Sequence, residues 1–292
     1  MSNNEYRSIR QQNLLHAMHI GPLWVRRQAT VHSSLNAGKQ AIVSLDTPLA
    51  MPIEHVKIAS AVLQPAAVAH VPPIAGPVPA MSTPQSNSND ITDADIARMD
   101  WEVLQSTVAA CTRCPLCKSR NRTVFGVGDH RARWLLIGEG PGRNEDQQGE
   151  PFVGPAGKLL DNMLQAIDLK RGENNFIANV VKCRPTDANG RDRAPAPEEI
   201  AACRPYLERQ IALVQPTLII AFGKVAAHSL LGCDSKTALA ALRGSVHRRN
   251  EIPLVVTYHP AYLLRKPLDK SMSWQDLCMA RRAISEADAL AG

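Results

Sequence analysis

Glycine-rich and polar segments that could form a binding site lie within or directly after three of the four short apolar runs in the second half of the chain. Gly138-Glu139-Gly140-Pro141-Gly142 follows the first run, Asn179 lies in the second, and His259 follows the fourth. Glycines let a backbone approach a ligand closely, an asparagine amide donates and accepts, and an imidazole can share a proton. Taken singly, each has a simpler interpretation: a tight turn or phosphate loop, a capping asparagine, and a structural histidine.

Four cysteines in separated segments form a second set of chemically capable residues. Cys111 and Cys114 share a Cys-x-x-Cys spacing, Cys183 follows the second apolar run, and Cys203 lies 19 intervening residues further on. Four thiolates can hold either a [4Fe–4S] cluster or a zinc ion, and their spacing does not separate the two. The start of the chain lacks the pattern of a signal peptide, so we expect the cytoplasm, where clustered cysteines indicate metal binding.

The elements that must position these residues can be predicted from hydrophobic periodicity. The apolar runs have the length of buried strands, and Pro155 and Pro197 each begin a segment of helical pattern. Pro205 should break or kink the second of these two helices. This alternation predicts a three-layer α/β/α sandwich with a central parallel four-stranded sheet, in which ligands bind at the carboxyl ends of the strands. The predicted strands are Trp134–Ile137, Phe176–Val181, Leu218–Phe222 and Leu254–Tyr258.

The composition divides the 292 residues into three parts. No Asp, Glu, Lys or Arg occurs from Ile58 to Asn89, where prolines recur, so we interpret 45–92 as a flexible linker. Residues 1–44 contain an amphipathic segment, which either packs on the main domain or binds a replication or repair protein. The predicted folded domain is 93–292.

The charge distribution suits a polyanionic partner. The formal net charge is +6, and residues 100–292 hold 26 basic and 21 acidic side chains against 7 and 6 in residues 1–99. No apolar run approaches the roughly 18 residues that span a bilayer, so we expect no membrane contact.

In their order along residues 100–280, these motifs resemble family 4 uracil-DNA glycosylases. The resemblance rests on the glycine-rich loop, the Pro-Phe-Val-Gly that begins at Pro151, the Ala-Asn-Val-Val-Lys-Cys-Arg-Pro around Asn179, and the His-Pro-Ala-Tyr-Leu-Leu-Arg that begins at His259. It implies hydrolysis of the N-glycosidic bond of uracil in DNA, the first step of base excision repair, by what we expect to be a monomer. It also implies that Cys111, Cys114, Cys183 and Cys203 hold a [4Fe–4S] cluster.

The resemblance further assigns roles to individual residues. Phe152 would stack on the extruded base, Asn179 would bind its Watson–Crick edge, and His259 would donate to a uracil carbonyl as negative charge develops. Glu139 and Gly140 would complete the pocket. Glu145 would position water or stabilise the cationic sugar, although a structural role is an open alternative. The DNA contacts would come from Leu263, Leu264 and Arg265, with the leucines filling the vacated base stack.

The chain departs from the family in the loop after Cys183. The family has Cys-Arg-Pro-Pro-x-Asn-Arg-x-Pro, whereas this loop is about four residues longer, with Asn189 as a displaced counterpart of the family asparagine. A related branch traps uracil covalently through a histidine of this loop, but residues 184–202 contain none, which favours ordinary hydrolysis. The alternative function is a non-catalytic DNA-binding module in which the cysteine-bound metal only stabilises the fold.

Overall fold

The computed structural model of the chain describes residues 91–234 and 236–291. The predictions for 1–44 and for nearly all of the linker 45–92 lie outside these residues, and the domain boundary at residue 93 stays a prediction. In the described part of the chain, no helix has the length and apolar character needed to cross a membrane.

Four parallel strands form the centre of the sheet, as predicted. They are β2 (Trp134–Gly138), β3 (Asn175–Asn179), β4 (Leu218–Phe222) and β6 (Ile252–Thr257), and they lie in the order β3-β2-β4-β6. All residues of β2, β3 and β4 are buried, because helices cover both faces. The register pairs Gly138 with Asn179, so the last residues of two neighbouring strands lie side by side at the carboxyl edge.

Two short antiparallel strands at the edges extend this sheet to six strands. β1 (Val127–Gly128) pairs with β3, and β5 (Val246–Arg249) pairs with β6. The prediction of four strands is corrected to this extent. β1 has only two residues, and β5 reads Val-His-Arg-Arg with one side exposed, so neither edge strand presents the apolar run by which buried strands are recognised.

Helices lie on both faces of the sheet and enclose two apolar cores. One core packs the sheet against α2 (Trp101–Ala110), α5 (Pro197–Val214) and α6 (Gly223–Leu231), and the other packs it against α4 (Pro155–Ala166) and α9 (Lys270–Ala291). This arrangement confirms the three-layer architecture. The helices within the described residues are α1 (Asp93–Ile96), α2 (Trp101–Ala110), α3 (Arg143–Gln148), α4 (Pro155–Ala166), α5 (Pro197–Val214), α6 (Gly223–Leu231), α7 (Leu239–Leu242), α8 (Pro260–Arg265) and α9 (Lys270–Ala291).

Pro205 does not break α5, so that part of the prediction is wrong. The helix begins at Pro197, where Glu199 accepts a hydrogen bond from the amide of Ala196, and it continues through Pro205 to Val214. The turns after Pro205 bury Tyr206 and Leu207 in the core. Burial of these side chains stabilises the helix by more than the hydrogen bond that proline cannot donate.

Candidate functional site

One pocket at the carboxyl edge of the sheet gathers most of the predicted site residues. Its volume is about 470 Å³, within the range of small-molecule sites. We call it the base pocket. The predicted residues that line it are Glu139, Gly140, Glu145, Phe152, Asn179, His259 and Arg265.

Asn179 presents an amide with an unused acceptor to the base pocket. The residue is 2% exposed, and its side-chain Oδ1 has no hydrogen-bond partner among the described residues. Its backbone carbonyl accepts a hydrogen bond from Lys182 Nζ at 2.8 Å, which holds the end of β3 in place. Gly138 leaves room for the amide, since a Cβ there would lie 2.4 Å from Oδ1. A buried amide with an open valence is suited to a polar ligand edge.

His259 is held in the base pocket as a neutral hydrogen-bond donor. It caps the start of α8, where Nδ1 accepts a hydrogen bond from the amide of Ala261 at 3.2 Å. A neutral ring whose Nδ1 accepts carries its proton on Nε2. Burial, with a smaller contribution from the positive charge of Arg265, lowers the pKa of His259 to about 4. The ring is therefore uncharged near neutral pH.

Phe152 is held by an unusual backbone conformation. Its φ of 55° lies in the left-handed region, which costs free energy for a residue with a side chain. Arg171 compensates by donating hydrogen bonds to the carbonyl oxygens of Pro151 and Phe152, at 3.2 and 3.0 Å. Gly157 is needed beside this turn, because a Cβ there would lie 1.6 Å from the Phe152 carbonyl oxygen.

The rings of Phe152 and His259 already stack on each other. Their centroids are 5.4 Å apart and their planes make an angle of 26°. This is the ordinary distance between two stacked aromatic rings, so no third ring fits between them. A base that stacks on this face of Phe152 must first displace one of the two rings.

The two predicted glutamates differ in how they are bound. Glu145 Oε1 accepts hydrogen bonds from the amides of Val153 and Gly154 at 3.0 and 3.2 Å, and Oε2 accepts one from the amide of Gly142 at 3.1 Å. These bonds favour the structural role for Glu145, because the carboxylate joins the two loops of the pocket. Burial raises the pKa of Glu139, which favours its neutral form.

The long loop after Cys183 folds over the base pocket. Asp192, Arg193 and Ala194 line the pocket, whereas Asn189 is not among its lining residues and donates its backbone N–H to the carboxylate of Asp187. Arg193 is fixed by a paired ion contact to both carboxylate oxygens of Glu199, at 2.8 and 2.6 Å. Asn189 was the predicted counterpart of the family asparagine, but within this loop it is Asp192 that lines the pocket and fits the family motif. Counting back from Pro195 identifies it, because Asp192-Arg193-Ala194-Pro195 matches Asn-Arg-x-Pro.

The predicted DNA wedge is divided between the interior and the surface. On α8, Leu263 faces inward and is completely buried in the core, whereas Leu264 is 43% exposed. Arg265, at the end of the same helix, lines the base pocket. The prediction for Leu263 is therefore corrected, because a side chain that packs in the core cannot also fill a base stack. Helical geometry separates neighbouring side chains by about 100°, so only one of two adjacent leucines faces outward.

The four cysteines predicted to bind a metal line a second, much smaller cavity, which we call the cysteine site. Cys111, Cys114, Cys183 and Cys203 come from the end of α2, the following loop, the segment after β3, and α5. Cys117 is not among its lining residues. In the described part of the chain, no three His, Cys, Asp or Glu side chains are already arranged to coordinate a metal ion.

The surroundings of the cysteine site are suited to negatively charged sulfur. The amide of Lys182 donates to Cys203 Sγ at 3.3 Å, and Arg120 Nη1 donates to Cys183 Sγ at 3.2 Å. Burial raises the pKa of Cys183 to about 11 and that of Cys203 to about 12, so both are thiols without a metal. The four cysteine sulfurs that could bind a metal, the N–H···S hydrogen bonds and the nearby positive side chains fit a thiolate-bound metal centre.

Three further residues hold the base pocket together, and sequence reasoning assigned none of them a role. Asp192 could have been found from its match to the family motif. Arg171 and Lys182 match no motif. Each donates hydrogen bonds to backbone carbonyl oxygens, and the sequence does not show which carbonyl a side chain will reach.

Comparison with known proteins agrees with this geometry. The profile of the Uracil DNA glycosylase superfamily matches residues 125–278. The type-4 uracil-DNA glycosylase of Pyrobaculum aerophilum is 39% identical over 62% of this chain and 93% of its own length. Those of Thermotoga maritima and Archaeoglobus fulgidus are each 40% identical, over 56% and 55% of this chain and 83% and 81% of their own lengths. The chain therefore belongs to the uracil DNA glycosylase superfamily and, within it, to the type-4 uracil-DNA glycosylases.

Proposed function

We propose that this chain removes uracil from DNA by hydrolysing the bond between N1 of the base and C1′ of the sugar. The abasic site that remains is the starting point of base excision repair. The observation that carries the proposal is that one pocket contains both the amide oxygen of Asn179, which has no hydrogen-bond partner within residues 91–234 and 236–291, and a neutral imidazole at His259.

Recognition of uracil follows from the amide of Asn179. A base inside a duplex is out of reach, so the nucleotide must first be extruded into the base pocket. Asn179 Oδ1 can then accept from N3–H of uracil while Nδ2 donates to O4. Cytosine has an unprotonated N3 and an amino group at these positions, so it would face the wrong partners. Phe152 provides the stacking surface after its ring separates from that of His259.

Bond cleavage is favoured by the neutral state of His259. When the bond breaks, its electron pair stays on uracil and the base becomes an anion. The Nε2–H group of His259 can donate to a uracil carbonyl oxygen as this charge develops, and the hydrogen bond that Nδ1 accepts from the amide of Ala261 keeps the proton on Nε2. The sugar takes on positive character and is attacked by water.

An incubation with a uracil-containing oligonucleotide, followed by alkali, tests this proposal. We expect strand scission at the uracil and none in a matched oligonucleotide with cytosine at the same position. Binding without scission would favour the non-catalytic DNA-binding module, and would overturn the proposed activity.

We further propose that the cysteine site holds a [4Fe–4S] cluster. Its chemical contribution when bound would be structural, since it would join the end of α2, the segment after β3 and α5. The support is the set of four thiols, the N–H groups of Arg120 and Lys182 that donate to Cys183 and Cys203, and membership of the type-4 family.

The colour and metal content of the purified chain test the cluster. We expect a brown protein that absorbs near 400 nm and contains about four iron atoms, as this cluster type requires. A colourless protein that contains zinc would overturn the cluster and leave the glycosylase proposal unaffected.

A further inference from the structure

We propose that Lys270, the first residue of α9, binds a backbone phosphate of the DNA strand whose uracil occupies the base pocket. This inference rests on the proposed glycosylase activity and adds to it a contact with the DNA backbone.

Lys270 is a nearly covered cation without a counter-charge. The residue is 5% exposed, and its ammonium group has no hydrogen bond or ion pair within residues 91–234 and 236–291. Burial lowers the pKa of Lys270, and no nearby negative charge opposes this effect. Lysines are rarely this buried unless they are paired. Nζ is not among the fully covered polar atoms, so an anion from outside can still reach it.

The negative side chains in α9 and in the turn before it that lie nearest in the chain already bind other groups. The carboxylate of Asp269 accepts a hydrogen bond from the hydroxyl of Tyr262 at 2.6 Å. Asp276, within two turns along α9, is paired with Arg243 at 2.8 Å. The described part of the chain therefore supplies no anion to Lys270.

The turn that precedes α9 places Lys270 beside the base pocket. A single 3₁₀ turn, Pro267–Asp269, connects α8 to α9, and its last residue is bonded to Tyr262, which lines the pocket. α9 therefore begins at the carboxyl edge of the sheet, where the pocket lies. A nucleotide extruded into the pocket keeps its two flanking phosphates outside, along this edge.

A phosphodiester is the anion that suits this position. A lysine ammonium binds phosphate as a point charge. The positive end of the α9 dipole favours an anion at the first turn and disfavours an unbalanced lysine there. A bound phosphate would offset both the missing counter-charge and the unfavourable dipole. Because the stem of Lys270 is already covered by its surroundings, little side-chain entropy is lost when the phosphate binds.

The salt dependence of DNA binding tests this contact. The ligand is a single-stranded oligonucleotide that carries non-cleavable 2′-fluoro-deoxyuridine, and the variant is Lys270→Met, which removes the charge and keeps the length of the stem. We expect the slope of log Kd against log salt concentration to fall by about 0.7, the value for one phosphate contact on a single strand. The Tm of the variant should not fall, because methionine removes a buried unpaired charge.

Removing the phosphate charges one at a time identifies the partner of Lys270. Each phosphate near the 2′-fluoro-deoxyuridine is replaced in turn by an uncharged methylphosphonate. At one position the wild-type protein should lose about tenfold in affinity, as for a hydrogen bond to a charged group. Lys270→Met should lose nothing further at that position, because the ammonium that binds this phosphate is already absent.

Lys170→Met is the matched control, because Lys170 is exposed and lies just before β3, at the opposite edge of the sheet. It should keep the wild-type slope and the wild-type loss at each methylphosphonate. If Lys270→Met behaves like this control, or if its losses add to those of every methylphosphonate, the inference fails. A wild-type protein that binds the oligonucleotide but excises no uracil would instead contradict the proposed function, so the two failures can be distinguished.

Discussion

The base pocket and the cysteine site share one short segment of chain but differ in how their polar groups are treated. Asn179 belongs to the pocket and Cys183 to the cysteine site, and Lys182 lies between them. In the pocket, Asn179 Oδ1 is left without a partner among the described residues. In the cysteine site, the sulfurs of Cys183 and Cys203 receive N–H donors from the chain.

This difference indicates how a site for a transient ligand can be distinguished from a site for a permanent one. The site for a transient ligand keeps a polar group without a hydrogen-bond partner, whereas the site for a permanent ligand supplies its own partners. An open acceptor costs free energy in the folded protein, and that cost is recovered only while a ligand is bound. A site with its own donors and cations instead stabilises bound thiolates continuously. Variants on each side should therefore fail in different ways, one in rate and the other in stability.

The largest effect should come from removing a polar group of the base pocket. We expect His259→Ala and Asn179→Ala each to lower the single-turnover excision rate on the order of 10²–10³-fold, because each removes a preorganised hydrogen-bonding group. Iron content should not change. His228→Ala is the control, since His228 bonds to the carbonyl of Thr237 outside the pocket. A wild-type rate in either pocket variant would contradict the assignment.

Removing a thiol from the cysteine site should act on stability first. We expect Cys203→Ala to lose its iron and to melt roughly 10 °C lower, since a loss of a few kcal/mol lowers the Tm of a domain of this size by about 2–4 °C per kcal/mol. Thermal unfolding and iron analysis measure both effects.

Cys233→Ala is the matched control, because Cys233 lies outside the cysteine site. It should retain iron and melt near the wild-type temperature. Equal iron content in the two variants would show that Cys203 is not a ligand.

Lys182 is the residue at which the two sites can be tested together. Lys182→Met would leave the carbonyl of Asn179 and the side-chain oxygen of Gln210 without their donor, at a cost of about 1–3 kcal/mol. We expect lower stability in urea and a smaller loss of rate than for Asn179→Ala. The exposed Lys224→Met is the control. If Lys182→Met had the same stability in urea and the same excision rate as Lys224→Met, the base pocket and the cysteine site would be independent.

The last expected effect is a dependence of stability on pH that comes from His259. Its pKa is about 4 in the folded protein and about 6.5 in an unfolded chain, so between these values only the unfolded chain binds the proton. Stability should therefore fall as pH decreases from 6.5 to 4. Urea unfolding across this range should show less of this fall in His259→Gln. A histidine NMR titration with a midpoint near 6.5 would contradict the neutral ring.

Most of the fold was predictable because its strands are buried on both faces. Continuous apolar runs identify such strands at β2 and β4 to within a residue, and prolines mark the starts of α4 and α5. The edge strands β1 and β5 were missed, since an edge strand is stabilised by pairing rather than by its own hydrophobicity. The same limit applies to Pro205, where packing of the following turns outweighs a local preference.

The sequence by itself determined which groups could do chemistry and at which end of the sheet they meet. Parallel strands all run in one direction, so the residues at their carboxyl ends lie along the same edge of the sheet. Only the tertiary structure decided how each group is used. It turned Leu263 inward and Leu264 outward, and it occupied Glu145 with backbone amides. It also left Asn179 Oδ1 without a hydrogen-bond partner in the part of the chain that the structure describes. These outcomes depend on contacts between residues far apart in the chain, and hydrogen-bond partners of that kind have no signature in local spacing.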